Sequence, residues 1–215
     1  MKRQQTVEAL FVRLNKELSS WACNTKVFMI FHRALQDFNI SNVIAKDIKA
    51  KDHLLNSFQK KASDTTFDAE MYNELTNYYQ SYIRSVVNYK INADLLTMRI
   101  NDVSEIIRNV EMDDILFTYE SFDAMIQILW RVFENQEFCS KTRLYQKVTH
   151  LMMKDLFQIY KVYYILIVEV LERFGELSNS DAKKAFVVYQ NFVSLTKAMR
   201  SKCPNIMGKF VINMK

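Results

Sequence analysis

Apolar positions recur along this chain in steps of three and four, the repeat of one face of an α-helix. Between Trp21 and Phe38 they fall at Val27, Phe28, Phe31, Ala34, Leu35 and Phe38. Ser19 or Ser20 is placed to cap the start of that helix, because a serine hydroxyl accepts from the unpaired N–H groups of a first turn. A shorter helix is predicted over Val7–Leu18, with Leu10, Phe11, Leu14 and Leu18 on one side. Two helices with a break before Ala50 are predicted over roughly Ser41–Phe58, then a loop over Lys60–Thr66. Asp68–Val87 reads as a tyrosine-rich helix with Tyr72, Leu75, Tyr79, Tyr82, Ile83 and Val86 in phase. Asn88–Met98 reads as a connection or a frayed helix, and Ile100–Val110 as a short helix.

Asp113 and Asp114 mark the next start, where the helix dipole favours negative charge. That helix is predicted to run to Glu134 on a core of Phe122, Met125, Ile126, Leu129 and Phe133, with a polar connection over Asn135–Lys141. The longest helix is predicted over Thr142–Phe174, with the stripe Met152, Leu156, Ile159, Tyr163, Leu166, Val170 and Phe174. Gly175 follows at once, where a left-handed C-cap residue is expected. Ser178–Asn179–Ser180 can cap a last helix toward Arg200, carrying Ala185, Phe186, Val188, Tyr189, Phe192, Leu195 and Met199. Pro204 and Gly208 lie past its end. No strict repeat of about 20–50 residues is present. The pattern predicts an all-α chain of about eight antiparallel helices, as an irregular solenoid or one large bundle. No linker-like composition divides it, so residues 1–215 read as a single domain.

Composition narrows the fold. The 215 residues include 2 Gly and 1 Pro, too few for the tight turns of a sandwich or barrel or for a phosphate-cradling loop. With 49% hydrophobic and 25% charged residues the chain can bury a large core. Cys23, Cys139 and Cys203 are odd in number and far apart, so they read as buried thiols in a reducing compartment. No signal peptide is visible, and no apolar run approaches the ~18 residues of a membrane span. Charge is distributed in blocks. Residues 1–61 hold 11 Lys/Arg against 5 Asp/Glu, net +6; residues 62–140 hold 5 against 14, net −9; residues 141–215 hold 13 against 5, net +8. This order allows a basic face for an anionic membrane or other polyanion, or a surface on which the blocks mix.

Catalytic spacings are missing. His32, His53 and His150 have no second ligand at zinc-binding spacing, and there is no phosphate loop or nucleophile turn. The pairs Tyr78–Tyr79 and Tyr163–Tyr164 read as core or interface rings. No module for nucleic acid is present. A helical enzyme would need a buried titratable cluster, and none is expected here. No cofactor, metal or small-molecule substrate is predicted.

Two segments carry a family resemblance. The first is Leu14–Gln36, with Ser19-Ser20-Trp21, Lys26-Val27-Phe28 and Phe31-His32-Arg33-Ala34-Leu35. The second runs from Leu151-Met152-Met153-Lys154-Asp155 through Leu156, Tyr160, Tyr163 and Leu171-Glu172-Arg173-Phe174. It continues into Asp181-Ala182-Lys183-Lys184-Ala185 and Tyr189-Gln190-Asn191-Phe192. Leu54–Phe58 resembles a short element between them. In order and spacing, roughly Val7–Met199 resembles the ANTH domain of clathrin-assembly proteins, one of the ENTH/ANTH/VHS-like helical solenoids.

The resemblance implies an endocytic adaptor domain that binds phosphoinositide membranes. It would be cytoplasmic and peripheral at plasma-membrane clathrin-coated pits and vesicles. Clathrin and adaptor complexes would be recruited through segments outside this chain. The alternative is a protein-interaction scaffold of the same fold without lipid binding. The family's lipid motif, a lysine followed after nine residues by Lys-x-Lys/Arg-His/Tyr, belongs to two helices expected before Met1. The basic candidates left for a headgroup are Lys2, Arg3 and Lys26, although Ala22 stands where an assisting arginine occurs in epsin-type domains. Lys49, Lys51 and His53 imitate the motif after the Trp21 helix, but Asp52 breaks it, and they read as a solvated helix end.

Overall fold

The computed structural model describes residues 2–14, 20–37, 39–52, 67–92, 100–135 and 142–202. Among the described residues the chain forms eight α-helices and no strand: α1 (Lys2–Leu14), α2 (Trp21–Gln36), α3 (Ser41–Lys49), α4 (Phe67–Asn92), α5 (Ile100–Ile107), α6 (Met112–Glu134), α7 (Arg143–Glu172) and α8 (Asn179–Lys202). The expected loop over Lys60–Thr66, the helix toward Phe58, and Leu18, Phe38, Cys139, Cys203, Pro204 and Gly208 lie outside the described residues, and so does most of Asn135–Lys141.

The helix starts follow from their caps. The Ser20 hydroxyl accepts from the Cys23 N–H, Thr142 does the same for Tyr145, and Ser178 for Asp181. Asp113 and Asp114 stand exposed in the first turn of α6, as the dipole argument requires. Several boundaries differ from expectation. Helix α1 begins at Lys2, five residues before the predicted Val7. Helix α4 continues through Asn92, because Tyr89 and Lys90 are buried there and Lys49 donates to the Asn88 side chain. Gly175 has no positive φ. Helix α7 ends at Glu172 with Arg173 as its cap, and a 3-10 turn over Phe174–Glu176 takes up the free groups through Glu176 N–H to the Arg173 carbonyl and Leu177 N–H to the Phe174 carbonyl.

Helices α2, α4 and α7 run in the same direction, as alternate members of an antiparallel winding do. Their contacts climb in register. Trp21 stacks on Tyr72 at 4.3 Å and Tyr72 on Tyr145 at 4.5 Å. One turn on, the Thr25 and Thr76 hydroxyls meet at 3.0 Å. Further along, His32 meets Tyr79 and Asp155. Helices α1 and α3 cover α2, α6 packs on α4 and α7, α5 lies on α7, and α8 runs along α6. The α6–α8 alignment is fixed by Tyr119 donating to the Ala185 carbonyl, Asn191 to Asp123 and Lys202 to Glu134.

The predicted stripes form the core, with Val27, Phe28, Phe31, Leu35, Tyr79, Tyr82, Phe122, Met125, Leu156, Ile159, Tyr163, Phe192 and Met199 all buried. Burying side chains of this size contributes roughly 1.5–3 kcal/mol each, so the apolar stripes and not the caps dominate stability. Two expected core residues are exposed: Phe174, carried off the stripe by the 3-10 turn, and Phe186, 55% accessible on the outer side of α8.

Candidate functional site

The third rung of α2, α4 and α7 is a buried polar cluster. His32, only 1% exposed, lies between Tyr79 and Asp155. Its Nε2 donates to Asp155 Oδ2 at 2.5 Å, and its Nδ1 meets the Tyr79 hydroxyl at 2.7 Å. The Tyr82 hydroxyl also donates to Oδ2, and the Gln36 amide donates to Oδ1 at 2.8 Å. The Gln36 nitrogen lies 3.0 Å from His32 Nε2 as well, a contact between two groups that both donate to Asp155. Burial, then the Asp155 carboxylate, push both tyrosine hydroxyls well above the ordinary tyrosine range. The phenols therefore stay protonated, and the carboxylate is held by three donors.

This corrects the expectation that no buried titratable cluster exists. His32 and Asp155 are 123 residues apart, so no local spacing could announce the pair. Chemically the cluster is a brace. Each member is hydrogen-bonded to another, and among the described residues no group of His, Cys, Asp and Glu is arranged to hold a metal.

The brace forms one wall of a cleft of about 310 Å³ between α2, α4 and α7. Leu35, Val86 and Ile159 give it apolar walls, while Gln36, Lys90, Lys154 and Gln158 bring polar groups. Lys90 is 4% exposed, and Lys154 stands exposed at the rim.

The outer face of the α2–α7 pair is basic. On α7, Arg143, Lys147, His150 and Lys154 follow steps of four and three and are all exposed. Lys161 continues the stripe half-buried. On α2, Lys26 and Arg33 are exposed on the side turned away from α4, with Ile30 between them at 50% accessibility. Because the two helices are parallel and touch through His32, Gln36 and Asp155, these exposed stripes share one side of the pair. The first and third charge blocks of the sequence thus meet in space.

The sequence-predicted candidates divide accordingly. Lys26 belongs to this face. The side chains of Lys2 and Arg3 lie outside what the structure describes, as does His53. Lys49 donates to Asn88, and Lys51 pairs with Glu8 at 3.2 Å, so both are engaged on the α3 side of the fold, away from the α2–α7 face. Arg33, Arg143, Lys147 and Lys154 were not singled out from sequence. Their helical spacing was legible, but their shared face needed the α2–α7 contact. Among the described residues no helix is long and apolar enough to cross a membrane.

A family model described as the ANTH domain matches residues 1–201. No curated protein and no solved structure matches the chain.

Proposed function

Because the chain belongs to the ANTH-domain family, a family of non-enzymatic adaptors, we propose that it is an endocytic adaptor domain that docks on phosphoinositide-bearing membranes and supports clathrin-coated vesicle formation. The observation that carries the lipid part is the basic face of α2 and α7, with Lys26, Arg33, Arg143, Lys147 and Lys154 exposed together. A basic residue near an anionic leaflet contributes about 1 kcal/mol, so five give a reversible, salt-sensitive contact. Ile30, exposed between Lys26 and Arg33, supplies an apolar side chain at the level of the headgroups. The brace at His32 and Asp155 keeps the two helices in register, so the charges are presented as a fixed array. Clathrin and adaptor complexes are the proposed partners, at plasma-membrane coated pits on the cytoplasmic side.

A scaffold role without lipid is the second reading. It is favoured by the exposed apolar residues Tyr164, Val168 and Leu171 along the end of α7, Phe174 in the 3-10 turn that follows, and Phe186 and Val187 on α8. Co-sedimentation with liposomes separates the two. The adaptor reading expects binding that requires phosphoinositide and weakens as salt rises. Absence of binding to phosphoinositide liposomes at low salt would favour the scaffold.

A further inference from the structure

We propose that the outer faces of α2 and α6 fit one another, and that a second copy of this chain docks its α6 on the α2 of the first to build a head-to-tail assembly.

The two faces repeat one spacing. On α2 the exposed positions are Lys26, Ile30 and Arg33, with Asp37 at the C-cap, in steps of four, three and four. On α6 the exposed positions Asp113, Phe117, Glu120 and Ala124 follow the same steps. Residues spaced in this way stand on one side of a helix. Each face thus sets one large apolar side chain between two like charges. Ile30, 50% accessible, stands between two cations, and Phe117, 39% accessible, between two acids. With the two helices parallel, Lys26 lies opposite Asp113, Ile30 opposite Phe117 and Arg33 opposite Glu120. Asp37 then falls opposite Ala124 and meets no like charge. Asp114, exposed beside Asp113, adds to the negative field.

These charges are not used inside the chain. Among the described residues the side chains of Lys26, Arg33, Asp113, Asp114 and Glu120 make no ion pair. Helices α2 and α6 both pack on α4 by their buried sides, which leaves the outer sides for a neighbour. Contact removes Ile30 and Phe117 from water, while the flanking pairs fix the partner. Like faces would set cation on cation or acid on acid, so the contact joins unlike faces. Such a contact leaves an α2 face at one end and an α6 face at the other, and further copies can add. Two helical turns make a small contact, so the association is weak and salt-sensitive. Lys26, Ile30 and Arg33 also belong to the basic membrane face, so a neighbouring copy and an anionic surface compete for α2. The α7 stripe stays open in the assembly.

Sedimentation velocity of the full chain at rising concentration provides the test. At low salt the average sedimentation coefficient of wild type should climb with concentration, and at high salt it should return to the monomer value. Lys26→Glu with Arg33→Glu, and separately Asp113→Lys with Glu120→Lys, should each weaken association at least about tenfold, because each sets like charges together. An equimolar mixture of the two double variants should associate again, since each carries the face that fits the other. Misfolded chains would not show this rescue. Phe117→Ser, an uncharged change at an exposed position, should also weaken association and serves should a charge-reversed chain fail to fold. Wild type that stays monomeric at low salt, a double variant that associates like wild type, or a mixture that stays monomeric would overturn the contact. Charge-dependent association without vesicle binding leaves the contact standing and removes the membrane reading. Vesicle binding by a chain that stays monomeric does the reverse.

Discussion

Replacing Asp155 with alanine tests the brace on which the basic face depends. Asp155 accepts from His32 Nε2 at 2.5 Å, from the Tyr82 hydroxyl and from Gln36 at 2.8 Å. Truncation leaves the first two donors in a site where His32 and Tyr82 are each 1% exposed. Gln36 is half-buried and can turn to water. An orphaned buried donor costs about 1–3 kcal/mol, so two give a loss of roughly 2–6 kcal/mol, with about 4 as the central value. For a chain of this size each kcal/mol moves Tm by roughly 2–4 °C, so a fall of about 8–16 °C is expected. Urea unfolding followed by helical circular dichroism measures the same loss at constant temperature. The fourfold variant His32→Leu, Asp155→Leu, Tyr79→Phe, Tyr82→Phe should recover much of it, because exchanging every member of the buried cluster for apolar groups leaves no orphaned hydroxyl or ring N–H. A loss for Asp155→Ala below about 1 kcal/mol would refute the reasoning, since water would then be satisfying donors described here as sealed.

Three further outcomes follow from the same structure. Burial, then Asp155, raise the pKa of Tyr79 and Tyr82, burial and then Asp123 raise that of Tyr163, and burial pushes Tyr145 up to about 12. Their folded pKa values exceed the unfolded value near 10, so their stabilisation is whole below about pH 10 and falls by roughly 1.4 kcal/mol per tyrosine per pH unit above it. The urea midpoint should therefore be level from about pH 7 to 9 and drop steeply beyond 10, with Tyr145 ceasing to contribute to the fall above about 12; a level midpoint through that range contradicts the burial of these rings. Ser178→Ala should cost about 1 kcal/mol and raise hydrogen exchange in the first turn of α8, because the Asp181 N–H loses its acceptor. Neutralising Arg33 and Lys147 together should flatten the salt dependence of vesicle binding while leaving Tm within about 2 °C of wild type, since both side chains are exposed.

Local chemistry explains what was legible in the sequence. The α6 boundaries, the Ser20 and Ser178 caps and the apolar stripes of α2 and α7 follow from periodicity and hydrogen-bond capacity within a few residues. What could not be read depends on distant partners. The extension of α4 to Asn92 is held by burial of Tyr89 and Lys90 and by Lys49 from another helix. Gly175 invited a left-handed cap, yet the chain turned through a 3-10 segment that any residue can adopt. At the site, Lys26 was legible as a candidate, but Arg33, Lys147 and Lys154 became one surface with it only when α2 and α7 packed in parallel. His32 looked isolated because its acceptor comes from α7 and its aromatic neighbours from α4.

The most direct test of the membrane reading compares wild type with the fourfold variant Lys26→Gln, Arg33→Gln, Lys147→Gln, Lys154→Gln. Both are sedimented with phosphoinositide vesicles at low salt, with their circular dichroism matched beforehand. The account predicts that wild type sediments with the vesicles and that the variant stays in the supernatant. Failure of wild type to sediment, or sedimentation of the variant to the same extent, would contradict it.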